Sequence, residues 1–191
     1  MNAQEIYKHS LSGIKKVKIS TNTSVKLSLG NSNQLVIGNS NSNKYKHDKD
    51  YENRKKARND KAKGLKALYA NGNDNTGQGF EITKDGSTLI VKDLKSFMKR
   101  SGFSIQVPRG IDIYLNCGNL GSAKIKGITS ELEVKTNVGH IEFNNVTGPI
   151  TAKTNTGNIT AVFSRVNQSN PISMRTATGD VDVSISSNTK A

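Results

Sequence analysis

Lys135, Lys153 and Arg175 each stand four residues before a glycine, at Gly139, Gly157 and Gly179. Cations repeated at one offset become a column wherever the repeats stack. Such a column repels itself unless acids or an anionic ligand lie against it. Glu133, Glu142 and Asp182 are the acids placed to neutralise part of it. Two readings stand, a solvated face and a site for a polyanion or an acidic glycan. A second cationic feature is the run 44–66, with ten Lys or Arg against four acids, a net of +6 within a chain of net +13. Arg54, Lys55, Lys56 and Arg58 are its densest part. Mixed charge with few apolar residues cannot bury itself, so this run reads as a solvated insertion between strands. Its other reading is an electrostatic arm for an acidic polymer or a membrane surface.

Covalent chemistry has fewer candidates. Cys117 precedes Gly118 and His140 follows Gly139, so stacking would bring a thiol and an imidazole near each other. A nucleophile and base also need an orienting third group and oxyanion donors, and no such set is evident. A small buried cysteine is the commoner outcome. Glu142 and Asp182 share one offset, but Thr160 stands between them, placing their backbones about two rungs, roughly 10 Å, apart. That separation leaves inverting glycoside hydrolysis open, yet no pocket is implied. The run Asp48–Glu52 is a poor calcium loop, with Asn53 at its sixth position and Asn59 at its twelfth. His9 and His47 have no partners at zinc-ligand spacing. The chain therefore reads as non-enzymatic, with no cofactor and no metal. No recognised nucleic-acid motif appears, so no specific nucleic-acid partner is expected.

The elements that must position these residues are short strands. Counting back from Gly118, Gly139, Gly157 and Gly179, the seventh residue is Ile111, Leu132, Ile150 or Ile172, and the fifth is Ile113, Val134, Ala152 or Met174. Two residues after each glycine come Leu120, Ile141, Ile159 and Val181, and four after come Ser122, Phe143, Ala161 and Val183. Alternation of period two on both sides of a turn predicts two half-buried strands per repeat. The inward parity switches across the glycine, which requires a bend there. The glycines are 21, 18 and 22 residues apart, a period near twenty, and Gly121 is a competing anchor in the first unit. A fixed-period repeat buries its apolar face by stacking on its neighbours. The expected fold is all-β, a single-domain β-solenoid over residues 1–191, clearest over 111–185. The same count puts Tyr114 in the cation column and aligns Asn116, Asn137 and Asn155 in a neighbouring one.

Further strands are expected around Val17–Ile19, Val25–Leu29 and Leu35–Ile37, capping the N-terminal end so that it does not expose unpaired edges. Phe80–Ile82, Leu89–Val91 and Phe103–Val107 supply more, before Pro108-Arg109-Gly110 punctuates entry into the clear repeats. The absence of tryptophan and the abundance of Asn, Ser, Thr and Gly agree with short strands and polar turns. One cysteine cannot form an internal disulfide. No apolar stretch approaches the roughly 20 residues of a transmembrane helix. The start, Met1-Asn2-Ala3-Gln4-Glu5, has neither the basic nor the apolar region of a signal peptide. Its Ala3-Gln4 pair looks like the cleavage junction of exported bacterial proteins, so a removed leader is expected.

The alternating N-terminal strands, the segments Gly64-Leu65-Lys66-Ala67 and Asp74-Asn75-Thr76-Gly77, the entry Ile105-Gln106-Val107-Pro108 and the Thr-Asn-x-Gly turns at 136–139 and 154–157 carry a resemblance. Over Val17 to Ile185 the chain resembles the bacterial putative-adhesin family, envelope β-solenoid domains of largely unknown function. The resemblance implies a periplasmic, outer-membrane-associated or extracellular location. The partner expected from the cation column and basic run is a surface ligand, a glycan or other anionic polymer. It brings no catalytic residues, because its motifs are turns and strands.

Overall fold

The computed structural model describes residues 6–39, 68–95, 102–166 and 171–185, with isolated positions 53, 57, 60 and 64. The named elements are fifteen strands: β1 (Ile6–Ser10), β2 (Lys16–Ser20), β3 (Ser24–Leu29), β4 (Gln34–Asn39), β5 (Phe80–Asp85), β6 (Thr88–Asp93), β7 (Gly102–Val107), β8 (Asp112–Asn116), β9 (Ala123–Lys126), β10 (Leu132–Lys135), β11 (Ile141–Val146), β12 (Ile150–Thr156), β13 (Ile159–Phe163), β14 (Ser173–Thr178) and β15 (Val181–Ile185). They form two mixed sheets. The first has eight strands in the order β1-β4-β7-β3-β9-β11-β13-β15, and the second has seven in the order β14-β12-β10-β8-β2-β6-β5. From β8 onward the chain alternates between the sheets, and from β10 each strand pairs in parallel with the strand two before it.

Alternation explains the core. In the seven-stranded sheet Val17, Ile113, Leu132 and Ile150 lie side by side, followed by Ile19, Leu115, Val134 and Ala152. In the eight-stranded sheet the equivalent sets are Val25, Ala123, Ile141, Ile159 and Leu27, Ile125, Phe143, Ala161. All are at most 1% exposed and belong to one continuous apolar cluster drawn from both sheets. Asn145, in a bulge of β11 at φ 56°, adds the residue that returns Val146 to the inner face opposite Phe163.

Turns can stack at strand spacing only where no side chain intervenes. A Cβ on Gly139 would lie 2.3 Å from the carbonyl oxygen of Gly121, one on Gly157 would lie 2.2 Å from that of Gly139, and one on Gly179 would lie 2.4 Å from that of Gly157. The glycine column is thus 121, 139, 157 and 179. This corrects the register taken from Gly118 in the first repeat. Leu132 pairs with Ile113, not Ile111, while Ile141 pairs with Ala123, not Leu120. The physical reason is a longer first turn, which Gly118 enters at φ 64° beside Asn22. Leu120, expected inside, is 56% exposed, and the alternating strand Ala123–Lys126 takes its place. The hydroxyls of Thr136, Thr154 and Thr176 donate to the carbonyls of Gly121, Gly139 and Gly157 at 2.6, 3.1 and 2.9 Å, so each glycine carbonyl at the inner turn has a partner one strand along.

The N-terminal strands also differ from expectation. β2 and β3 do not cap an end. β2 lies between β6 and β8, and β3 lies between β7 and β9. The capping is antiparallel instead: β4 covers β7, β1 covers β4, and the hairpin partner β5 covers β6. β1 itself was not expected from the sequence. Asn75 steadies the approach to β5 by pairing both backbone groups of Ile82, its amide donating to the carbonyl at 2.7 Å and its carbonyl accepting from the amide at 2.9 Å.

Gly139→Ala tests the stacked column with little backbone strain of its own. The displaced group is a main-chain carbonyl that cannot swing aside, so the expected cost is about 3 kcal/mol, at the upper end for an overpacked site. For a chain of this size that lowers the melting temperature by about 6–12 °C. Gly86→Ala, with nothing within 4 Å of the added Cβ, is the control for backbone strain alone at φ 56°. A melting temperature for Gly139→Ala no lower than that of Gly86→Ala would refute the packing argument.

Candidate functional site

Lys135, Lys153 and Arg175 occupy directly paired positions on β10, β12 and β14. Their strands alternate inner and outer residues, so the sheet presents all three on one outer face at successive parallel-strand spacings of about 4.8 Å. The next outward residues, Asn137 and Asn155, are joined by a side-chain hydrogen bond from Asn155 Nδ2 to Asn137 Oδ1 at 2.7 Å. Between the two columns lies a shallow recess of about 310 Å³ edged by Asn116, Asn119, Lys135, Asn137, Lys153 and Asn155. The sequence predicted both the cations and the stacked asparagines, but not that they would edge one recess.

The corrected register changes two members. Tyr114 leaves the cation column and pairs with Glu133, while Asn116 leaves the asparagine column and sits opposite Lys135. Asn116 is engaged in its own turn, accepting the Gly118 N–H at 2.9 Å. Lys135 is the most heavily partnered cation. Its ammonium lies 2.6 Å from Glu133 and 5.4 Å from the Tyr114 ring centre. The hydrogen bond to Glu133 raises its pKa, and the attraction of Glu133 and Tyr114 adds to this against slight burial. Lys153 and Arg175 have no ion-pair partner among the described residues, so they carry the uncompensated charge of the column. Arg54, Lys55, Lys56 and Arg58 lie outside the described residues.

The thiol and imidazole do not form a nucleophile–base pair. Cys117 is fully buried, in the column that holds Thr136 and Thr154 in the next strands, and its backbone N–H donates to the Lys135 carbonyl at 2.8 Å. Burial pushes its thiol up to about 12. His140 is exposed, and its Nδ1 accepts the Asn158 N–H at 3.0 Å, so the neutral ring carries its proton on Nε2. A buried neutral thiol on the inner face and an exposed ring on the outside cannot cooperate. Glu142 and Asp182 lie two strands apart with Thr160 between them, as the spacing predicts. Glu142 is drawn to Lys124 at 2.6 Å, and the recess of about 260 Å³ beside His140, Glu142, Asn158 and Thr160 does not include Asp182. Among the described residues no group of three or more His, Cys, Asp or Glu could hold a metal ion, and no helix is long and apolar enough to cross a membrane.

No family model matches the chain, and no curated protein matches it. Solved structures do. One, described as a putative cell adhesion protein from Clostridium sporogenes, has a TM-score of 0.50 and 13% identity, and the match covers 96% of this chain and 99% of that one. Another, described as a putative adhesin from Bacteroides fragilis, has a TM-score of 0.34 and 12% identity, covering 96% and 98%. The Clostridium likeness is one of fold over nearly the whole of both chains.

The placement of Cys117 generates a test. A thiol titrating near 12 and shielded from solvent is almost wholly protonated at pH 8, whereas an unfolded cysteine titrates near 8.5. Ellman's reagent at pH 8 should leave the native protein unlabelled and react with one equivalent in denaturant. Prompt labelling of the folded chain would place the thiol outside the core.

Proposed function

We propose that this chain is a non-enzymatic, adhesin-like binding module that acts at the bacterial surface or in the periplasm. Its two sheets are read as the two faces of one β-solenoid, supported by the alternation of β8 to β15 between sheets with parallel pairing of every second strand. Such an architecture spends its inward columns on stability and leaves its outward columns to present side chains.

The ligand class follows from the recess beside Lys153. Cations with adjacent amides suit a chain that carries both carboxylates or sulfates and hydroxyls, which is an acidic glycan. The observation that carries this reading is the in-register alignment of Lys135, Lys153 and Arg175 beside the paired Asn137 and Asn155. The ladder takes the charge and the amides take the hydroxyls. Charge in the run 44–66 would add non-specific attraction for the same polymer, or for an anionic membrane surface.

Titration with hexagalacturonate, and with maltohexaose as the neutral control, tests the reading. Binding is expected for the uronate alone, weakening from 20 to 150 mM salt as screening shortens the range of the charges. Lys153→Gln with Arg175→Gln removes two exposed charges worth up to ~1 kcal/mol each, so affinity should fall about tenfold. Equal affinity for the double variant, or equal binding of maltohexaose, would overturn it.

A further inference from the structure

The outer face of the eight-stranded sheet carries a second cationic recess that repeat counting from Gly118 does not reveal. Lys26 on β3 pairs directly with Lys124 on β9, and Lys124 pairs with Glu142 on β11. One outward step along the strands, Ser28, Lys126 and Asn144 form the next paired set. These six residues edge a recess of about 390 Å³. Lys26, Lys124 and Lys126 are all exposed.

Three ammonium groups therefore share an area about one strand spacing wide and two residues long. One carboxylate answers them, with Lys124 and Glu142 2.6 Å apart. The side chains of Lys26 and Lys126 have no ion-pair or hydrogen-bond partner among the described residues. Like charges in laterally paired positions destabilise a sheet, and a bound anion reverses the sign of that interaction. Lysine stems can wall such a recess with methylene groups while their charged heads stay in water. Ser28 and Asn144 add a hydroxyl and an amide at its edge. No aromatic side chain lines it, so it lacks the stacking surface on which single-stranded nucleic acid relies.

We infer that this recess is an acidic-saccharide site in its own right, in which Lys26 and Lys126 take the anionic groups and Ser28 and Asn144 take sugar hydroxyls. Glu142 offsets part of the Lys124 charge through their ion pair and so limits the affinity. The site lies on the sheet opposite the Lys153 column and stands independently of it. With both occupied, one molecule joins two polymer chains.

Full-length protein labelled with nitrogen-15 separates the two faces. Hexagalacturonate supplies carboxylates and a heparin-derived hexasaccharide supplies sulfates, and the stronger of the two reports which anion the recess prefers. At least one probe is expected to shift the amides of Lys26, Ser28, Lys126 and Asn144, and to go on shifting them in Lys153→Gln/Arg175→Gln protein. Lys26→Gln with Lys126→Gln should weaken that set at least fivefold while leaving the Asn137 and Asn155 shifts intact. Glu142→Gln, which releases Lys124, should tighten it about threefold. The site is refuted by an absence of shifts on β3, β9 and β11 with both probes, by unchanged affinity in the double lysine variant, or by weaker binding in Glu142→Gln. Equal shifts from a thymidine oligonucleotide would also refute it as a saccharide site. A failure confined to the β10 and β12 amides would count against the Lys153 site alone.

Discussion

Parallel pairing brings successive turns within about 4.8 Å of each other, and at the inner corner that spacing leaves no volume for a Cβ. Gly121, Gly139, Gly157 and Gly179 meet this constraint, each standing where an added carbon would collide with the carbonyl of the turn before it. The threonine hydroxyls three residues before the last three glycines answer the same carbonyls, so close approach does not strand a polar group. Register along both sheets follows from this corner. A side chain that kept two turns apart would break the pairing that makes Ile141 and Ile159, or Lys135 and Lys153, neighbours.

The ends of the stack obey the same logic differently. Antiparallel strands β1, β4 and β5 close one end. At the other, β15 keeps the alternation of the core but loses its shielding, with Val181, Val183 and Ile185 between 41% and 55% exposed. The interior is chemically quiet: its single thiol sits where the neighbouring strands place threonines, neutral and enclosed. Among the described residues charge is held mostly outside, where screening is strong and a ligand can reach it, with Asp93 the buried exception.

Much of the fold was legible in the sequence because alternation survives in every repeat. Strands β10 to β15 and their inner residues follow from counting, and so does the cation column, since Lys135, Lys153 and Arg175 hold one offset in repeats whose turns are alike. The first repeat was misaligned because its turn is longer, so one glycine could not anchor the strands on both sides of it. That displaced Tyr114 and Asn116 by one outward position and hid β9. The lysines at 26, 124 and 126 were invisible as a group for a related reason: Lys26 lies about one hundred positions before its neighbours, and only pairing of β3 with β9 unites them.

Alternating apolar residues and recurring glycines by themselves determined an all-β chain of stacked short strands, because period-two burial and a Cβ-free corner are local demands that each segment states for itself. Tertiary structure decided the order of stacking. β6 and β7 return to the outer side of β2 and β3, so strands near the start of the chain lie inside the sheets, not at their ends. That choice depends on which edges find partners after a long intervening segment, and an isolated strand pattern carries no record of its future neighbour. The same non-local pairing set the composition of each surface recess, since a recess is built from residues that share a face without sharing a stretch of sequence.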